Sequence, residues 1–185
     1  MTGASYPQTS RQAYTLKPGT EMIDGTVFAG IRNQEQIYTM QHDLQSPLKY
    51  NKKDKAYYRL GWTFRKLAKA VKKVNADPAQ NYGHDDWEVP DAVTMEVTLH
   101  STRDFRGLKG TYTADSETRP KDRGLYWTDH NNGSAGPTGY HPPNYEWIVN
   151  LTTCDAKLLW RHWPRKLSAR LVRKVPVPAF ASPKL

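Results

Sequence analysis

Between Tyr57 and Val74 the apolar residues recur at helical spacing. Tyr57, Leu60, Phe64, Leu67, Val71 and Val74 follow one another at intervals of 3, 4, 3, 4 and 3 residues. An α-helix turns once in 3.6 residues, so this spacing sets all six on one stripe. The pattern predicts a long amphipathic basic helix over residues 54–74. Lys55, Arg59, Lys66, Lys69 and Lys73 fall mostly off the stripe. Asn51 or Asp54 would cap its start, and Lys72 and Lys73 suit the negative end of its dipole. Asn75 and Asp77-Pro78 would end it. Gly61 is the weak point of such a helix, at about 1 kcal/mol relative to Ala, and would allow close packing there.

The rest of the chain reads as short strands and turns. Asp24-Gly25 lies between apolar stretches and signals a hairpin, with Val27, Phe28 and Ile31 facing a core. Residues 36–40 extend it. Residues 92–102 alternate apolar Val93, Met95, Val97 and Leu99 with polar neighbours, which predicts a strand with one wet face. Residues 109–114, 123–128 and 145–152 read as further strands. The last of these sets Tyr145, Trp147, Val149 and Leu151 on one face. Asp155 would cap a short helix through Leu158, Leu159 and His162, ended by Pro164. Val175-Pro176-Val177-Pro178 favours polyproline geometry. The predicted fold is α+β: a mostly antiparallel sheet packed by the basic helix, as one domain over 21–155. A flexible N-terminal arm (1–20) and a basic C-terminal arm (156–185) extend from it. Hydrophobic residues make up only 37% of the chain, so the 11% that are aromatic must carry much of the core. Trp127, Trp147 and Trp160 are the expected anchors.

Charge is unevenly spread. From Lys49 to Lys73 there are ten basic residues and one acid, Asp54. From Ala156 to Leu185 there are eight basic residues and no acid, whereas the remainder carries 9 basic and 17 acidic residues. Two cationic segments on an acidic body make local fields that attract phosphate, or the acidic body of another copy. The residues expected to contact a nucleic-acid backbone are Lys52, Lys53, Arg59, Arg65, Lys66, Lys69, Lys72 and Lys73. Arg161, Arg165, Lys166, Arg170, Arg173 and Lys174 would form a second surface, with Trp160 and Trp163 able to stack on unpaired bases. Lysine predominance in the first segment points to contact by charge, since Arg is the residue for bidentate base reading.

Other motifs are sparser. Pro142-Pro143-Asn144-Tyr145 matches the PPxY pattern that WW domains read through an aromatic groove. The six histidines have no metal-ligand spacing. No phosphate-cradling glycine loop is present, and no cofactor is expected. Asp91 with Asp155 and Lys157 is a spaced approximation to a nuclease carboxylate–lysine set. Cys154, the single cysteine, fits a small buried side chain in a reducing compartment. Asn150-Leu151-Thr152 matches a glycosylation sequon by chance. No run of about 18 apolar residues occurs, and residues 1–12 lack a signal core. The expected location is intracellular (cytoplasm or nucleus), or a virion.

These features predict a non-catalytic structural or assembly protein that binds RNA or DNA electrostatically, of viral matrix or capsid type, and self-associates. A ribosome-like ribonucleoprotein component would use the same basic segments. A peripheral protein on an anionic membrane surface would use the basic helix.

Overall fold

The computed structural model describes residues 16–44, 46, 48–53, 55–59, 61–99, 124–129, 144–151, 153, 155–160, 162 and 166–177. The strands in chain order are β1 (Val27–Arg32), β2 (Glu35–Thr39), β3 (Leu48–Asn51), β4 (Ala56–Arg59), β5 (Leu125–Trp127), β6 (Tyr145–Asn150), β7 (Asp155–Trp160) and β8 (Val172–Pro176). The helices are α1 (Phe64–Asn75) and α2 (Ala92–Thr94), the latter running on as a π-helical turn over Met95–Leu99. The strands form two antiparallel three-stranded sheets, β1-β2-β8 and β5-β6-β7, and a separate β3-β4 hairpin. The chain is therefore mixed α+β, with short helices.

The β5-β6-β7 sheet is the middle layer. Tyr126, Trp147 and Val149 face one core cluster with Ala29, Ile37, Met95, Leu99 and Val172. Leu125, Trp127 and Ile148 face a second, with Leu67, Val74, Trp87, Val89 and Leu171. Successive residues of a strand point to opposite faces, so β6 is buried on both. That places the β1-β2-β8 sheet and α2 on one side and α1 on the other. Buried Trp side chains keep their N–H groups paired: Trp127 donates to the Trp62 carbonyl at 2.7 Å and Trp87 to that of Asn81 at 2.7 Å. Trp127 and Trp147 are core anchors as expected, whereas Trp160 is exposed.

Several expectations are corrected. The helix does not span 54–74; it is twelve residues long and begins at Phe64. Residues 56–59 instead pair with β3, with Tyr50 opposite Tyr57 and Leu48 opposite Arg59. Gly61 sits at φ +71°, outside helical space, and Thr63 is the extended residue at the helix start. Phe64, Leu67, Val71 and Val74 of the periodic stripe are helical, Tyr57 is in β4, Leu60 lies outside the described residues, and the helix ends at Asn75 as expected.

Residues 92–99 are helical where alternation implies a strand. Asp91 caps them by accepting from the Thr94 N–H at 3.0 Å. Met95, Thr98 and Leu99 are buried and Val97 is 59% exposed, so burial follows a helical period rather than alternation. Residues 155–160 form β7 against β6, not a helix. The tight return from β6 offers them a complete backbone partner, and tertiary pairing overrides a weak local preference.

Asp24-Gly25 does reverse the chain, with the Met22 N–H donating to Thr26 at 2.8 Å. The turn joining β1 to β2 is Asn33-Gln34, however, with both residues at positive φ (51° and 63°) as a two-residue hairpin of this twist needs. Val27 and Phe28 are buried and Ile31 is exposed. Gly19 and Thr20, expected in the N-terminal arm, hydrogen-bond to Phe28 at 2.7 and 2.9 Å. Residues 1–15, 100–123 and 130–143 lie outside the described residues, and with them the expected strand at 109–114.

Described parts of the expected C-terminal arm belong to the folded body: residues 155–160 form β7 and 172–176 form β8. Besides β7 and β8, the arm passes Leu167 against Trp62, with N–H to carbonyl distances of 2.7 and 2.9 Å in the two directions. Gly61 allows this approach: a Cβ there would lie 2.3 Å from the Leu167 carbonyl oxygen. Gly61→Ala should therefore lower unfolding free energy by about 2–3 kcal/mol through left-handed strain and displaced backbone, measured by denaturant unfolding.

Candidate functional site

α1 carries a run of exposed charge. Its sequence FRKLAKAVKKVN contains five cations and no acid. Leu67, Ala70 and Val74 are buried, and Arg65, Lys66, Lys69, Lys72 and Lys73 are exposed. On a helix, neighbours lie three and four residues apart. The four neighbours of Lys69 at those spacings are Arg65, Lys66, Lys72 and Lys73. One continuous cationic patch results, centred on Lys69.

This patch opposes helix stability. Each like-charge pair at these spacings costs about 0.2–0.5 kcal/mol. Arg65 and Lys66 also stand in the first turn, at the positive end of the dipole, where acids are favoured. The Thr63 side chain makes no capping hydrogen bond. The helix is held instead by its buried face and by Asn75, whose side-chain amide donates to the Trp87 carbonyl at 2.9 Å and accepts from the Trp87 N–H at 3.1 Å.

The β3-β4 hairpin precedes the helix. Lys52 and Lys53, from the expected set, are exposed in its turn, as are Lys49 and Lys55 along the hairpin. Arg59 is in β4. Tyr50 and Tyr57, which sequence reasoning does not assign to the site, are 52% and 64% exposed. Their rings contact at a centroid distance of 5.1 Å and a tilt of 55°. The available signal is in the sequence alone: Asn51 and Asp54, residue types that favour turns, stand between two tyrosine-containing runs.

The C-terminal cations are placed differently. Arg170 is 2% exposed, and its guanidinium lies 2.5 Å from Asp43. It also donates to the Met40 and Gln41 carbonyls at 2.9 and 3.2 Å, while the Tyr126 hydroxyl donates to Asp43 at 2.6 Å. Burial opposes the Arg170 charge, but Asp43 and Tyr126 outweigh it and hold the guanidinium above its ordinary range. Arg173 makes two hydrogen bonds to Asp86, at 2.9 and 3.2 Å. Lys174 is 2.8 Å from Glu88 and 3.8 Å from Asp91. Burial pushes the Glu88 carboxyl up despite Lys174. The acidic loop 85–91 and the C-terminal bases are thus partners within one chain. Arg170 is a core residue, and Arg173 and Lys174 spend their charge internally.

Lys166 is half-buried. Trp160 is exposed beside His162, with ring centroids 5.4 Å apart, and stands opposite Tyr145 across β6 and β7. Arg161, Trp163 and Arg165 lie outside the described residues, as do Pro142 and Pro143 of the PPxY pattern. Tyr145 opens β6 and is exposed. The spaced nuclease set does not converge. Asp91 is fully buried and bonded to Arg32 at 2.8 Å and to the Thr94 hydroxyl at 2.6 Å, whereas Asp155 is exposed at the start of β7. Among the described residues no three His, Cys, Asp or Glu side chains group as a metal site. No described helix is long and apolar enough to cross a membrane.

No known protein family matches the chain, and no curated protein matches it in sequence. The site must therefore be read from its own chemistry.

Two stability predictions separate the patch from the buried pair. Lys69→Glu should raise unfolding free energy by about 1.5 kcal/mol or more, since four repulsions of about 0.2–0.5 kcal/mol each become attractions of similar size. Asp43→Ala should lower it by about 3–5 kcal/mol, because Arg170 would remain buried without its counter-charge. Joint replacement by Asp43→Leu and Arg170→Met should recover most of that loss, as a double-mutant cycle in urea would measure.

Proposed function

We propose that this protein binds the phosphate backbone of a nucleic acid through the cationic face of α1, in a structural or packaging role of capsid or matrix type. The observation that carries this reading is the patch around Lys69. Five cations stand at mutually repelling positions, two of them at the unfavourable end of the helix, and the helix supplies no acid to offset them. A fold that retains such an arrangement is being held against local electrostatics, which is expected where charge serves a partner. Arg170, Arg173 and Lys174 support the same assignment by contrast, because their acids lie in the same chain. Mutual docking of basic and acidic segments between copies is accordingly no part of the proposal.

The contact is one of charge. Four of the five cations are lysines, which bind phosphate as point charges, and a base-reading role would favour arginine. Affinity should then be steeply dependent on salt and weakly dependent on sequence. The packaging role adds self-association on nucleic acid, visible as cooperative assembly in sedimentation.

Replacing Arg65, Lys66, Lys69, Lys72 and Lys73 together by Gln tests the reading. The log–log salt slope of duplex binding should become shallower by about four units, near 0.9 for each phosphate that is no longer neutralised. An unchanged slope would remove α1 from the interface. Lys69→Glu alone should weaken binding while stabilising the fold, opposite signs that a purely structural helix would not give.

A further inference from the structure

We propose that the β3-β4 hairpin is a stacking platform for unpaired bases, which makes single-stranded RNA or DNA the preferred ligand. This rests on the backbone-binding reading of α1 and names the form of nucleic acid that it takes.

The hairpin pairs with no other strand among the described residues, so its sheet has only two members. Isolated hairpins are marginal in water, and their side chains usually serve to cover a core. Tyr50 and Tyr57 do not. They face each other across the ladder, each more than half exposed, and pack on one another rather than on the core clusters. The tilt between the rings leaves aromatic surface of both open to solvent. Exposed cations lie on the same hairpin: Lys49 in β3, and Lys52 and Lys55 in the connecting turn. Lys55 is at φ +49°, which tightens that turn.

Aromatic faces flanked by cations fit one ligand chemistry closely. A flexible strand can lay its bases on the rings while ammonium groups hold its phosphates. A duplex offers the phosphates, but its bases are already stacked on each other. An anionic lipid surface offers charge, but insertion draws on an apolar face of Trp, Phe and Leu or other aliphatic side chains. From Lys49 to Arg59 the sequence contains no Leu, Ile, Val, Met or Phe. The observations therefore favour a single strand over either alternative.

The test uses the full-length protein with a fluorescent oligothymidylate, a duplex of equal length, and phosphatidylserine vesicles. Tyr50→Val with Tyr57→Val retains strand-forming side chains and removes the rings. Tyr50→Phe with Tyr57→Phe retains the rings. The valine pair should weaken oligothymidylate binding about tenfold or more, with duplex affinity and the salt slope unchanged, and the phenylalanine pair should bind as the parent does. Retained single-strand affinity in the valine pair would overturn the proposal. So would equal losses on single strand and duplex, a matching loss in the phenylalanine pair, or a loss confined to vesicles. The α1 glutamine variant distinguishes the two readings. It reports through the salt slope, and the tyrosine variants report through the preference for single strand over duplex.

Discussion

A charge held inside the protein organises this fold. Arg170 is buried against Asp43 and the Met40 and Gln41 carbonyls, and the chain on either side of it is bonded to most other parts of the structure. Leu167 pairs with Trp62, Ser168 with Leu125 and Trp127, Ala169 with Leu44, Val172 with Glu88, and Val177 with Gln34. β8 then completes the sheet with β2. Residues 167–177 thus join the start of α1, the middle sheet and the outer sheet. Leu167, Ala169 and Leu171 belong to one core cluster and Val172 to the other. Because an unpaired buried guanidinium is so unfavourable, this segment has one acceptable position, and Asp43 sets it.

That seam also decides where charge is available. The C-terminal bases that cross the body meet carboxylates of loop 85–91 and of Asp43. Arg170, Arg173 and Lys174 are thereby matched by carboxylates of the same chain. The α1 patch has no acid within its own helix, and its cations face outward. The hairpin before it adds exposed lysines and two exposed tyrosines. The functional proposal accordingly centres on the first basic segment, and adds to it the aromatic surface at the hairpin.

Residue by residue, the sequence is informative wherever one local force dominates. Leu67, Val71 and Val74 read as helical because a period of 3.6 has no other local explanation, and Asn75 reads as the end of that helix. The tryptophans at 127 and 147 read as core from size alone. Reading fails where two periods compete over a short stretch. Tyr57 extends the helical stripe by coincidence, and nothing local reveals that Gly61 must take positive φ under the Leu167 backbone. Val93, Met95, Val97 and Leu99 alternate as a strand does, yet the Asp91 cap and the packing of Met95 and Leu99 impose a helix.

What the sequence determined by itself was the mixed α+β character, the cationic segment at 49–73, and the exposure of its lysines once a helix is allowed. Those follow from periodicity and from the high cost of burying unpaired ammonium groups. What only the tertiary structure decided was the internal pairing of Arg170, Arg173 and Lys174 and the placing of the two tyrosines. Ion pairing joins residues 59 positions apart for Arg32 and Asp91 and 87 apart for Arg173 and Asp86. No local pattern encodes such separations, because they depend on which surfaces the core brings together.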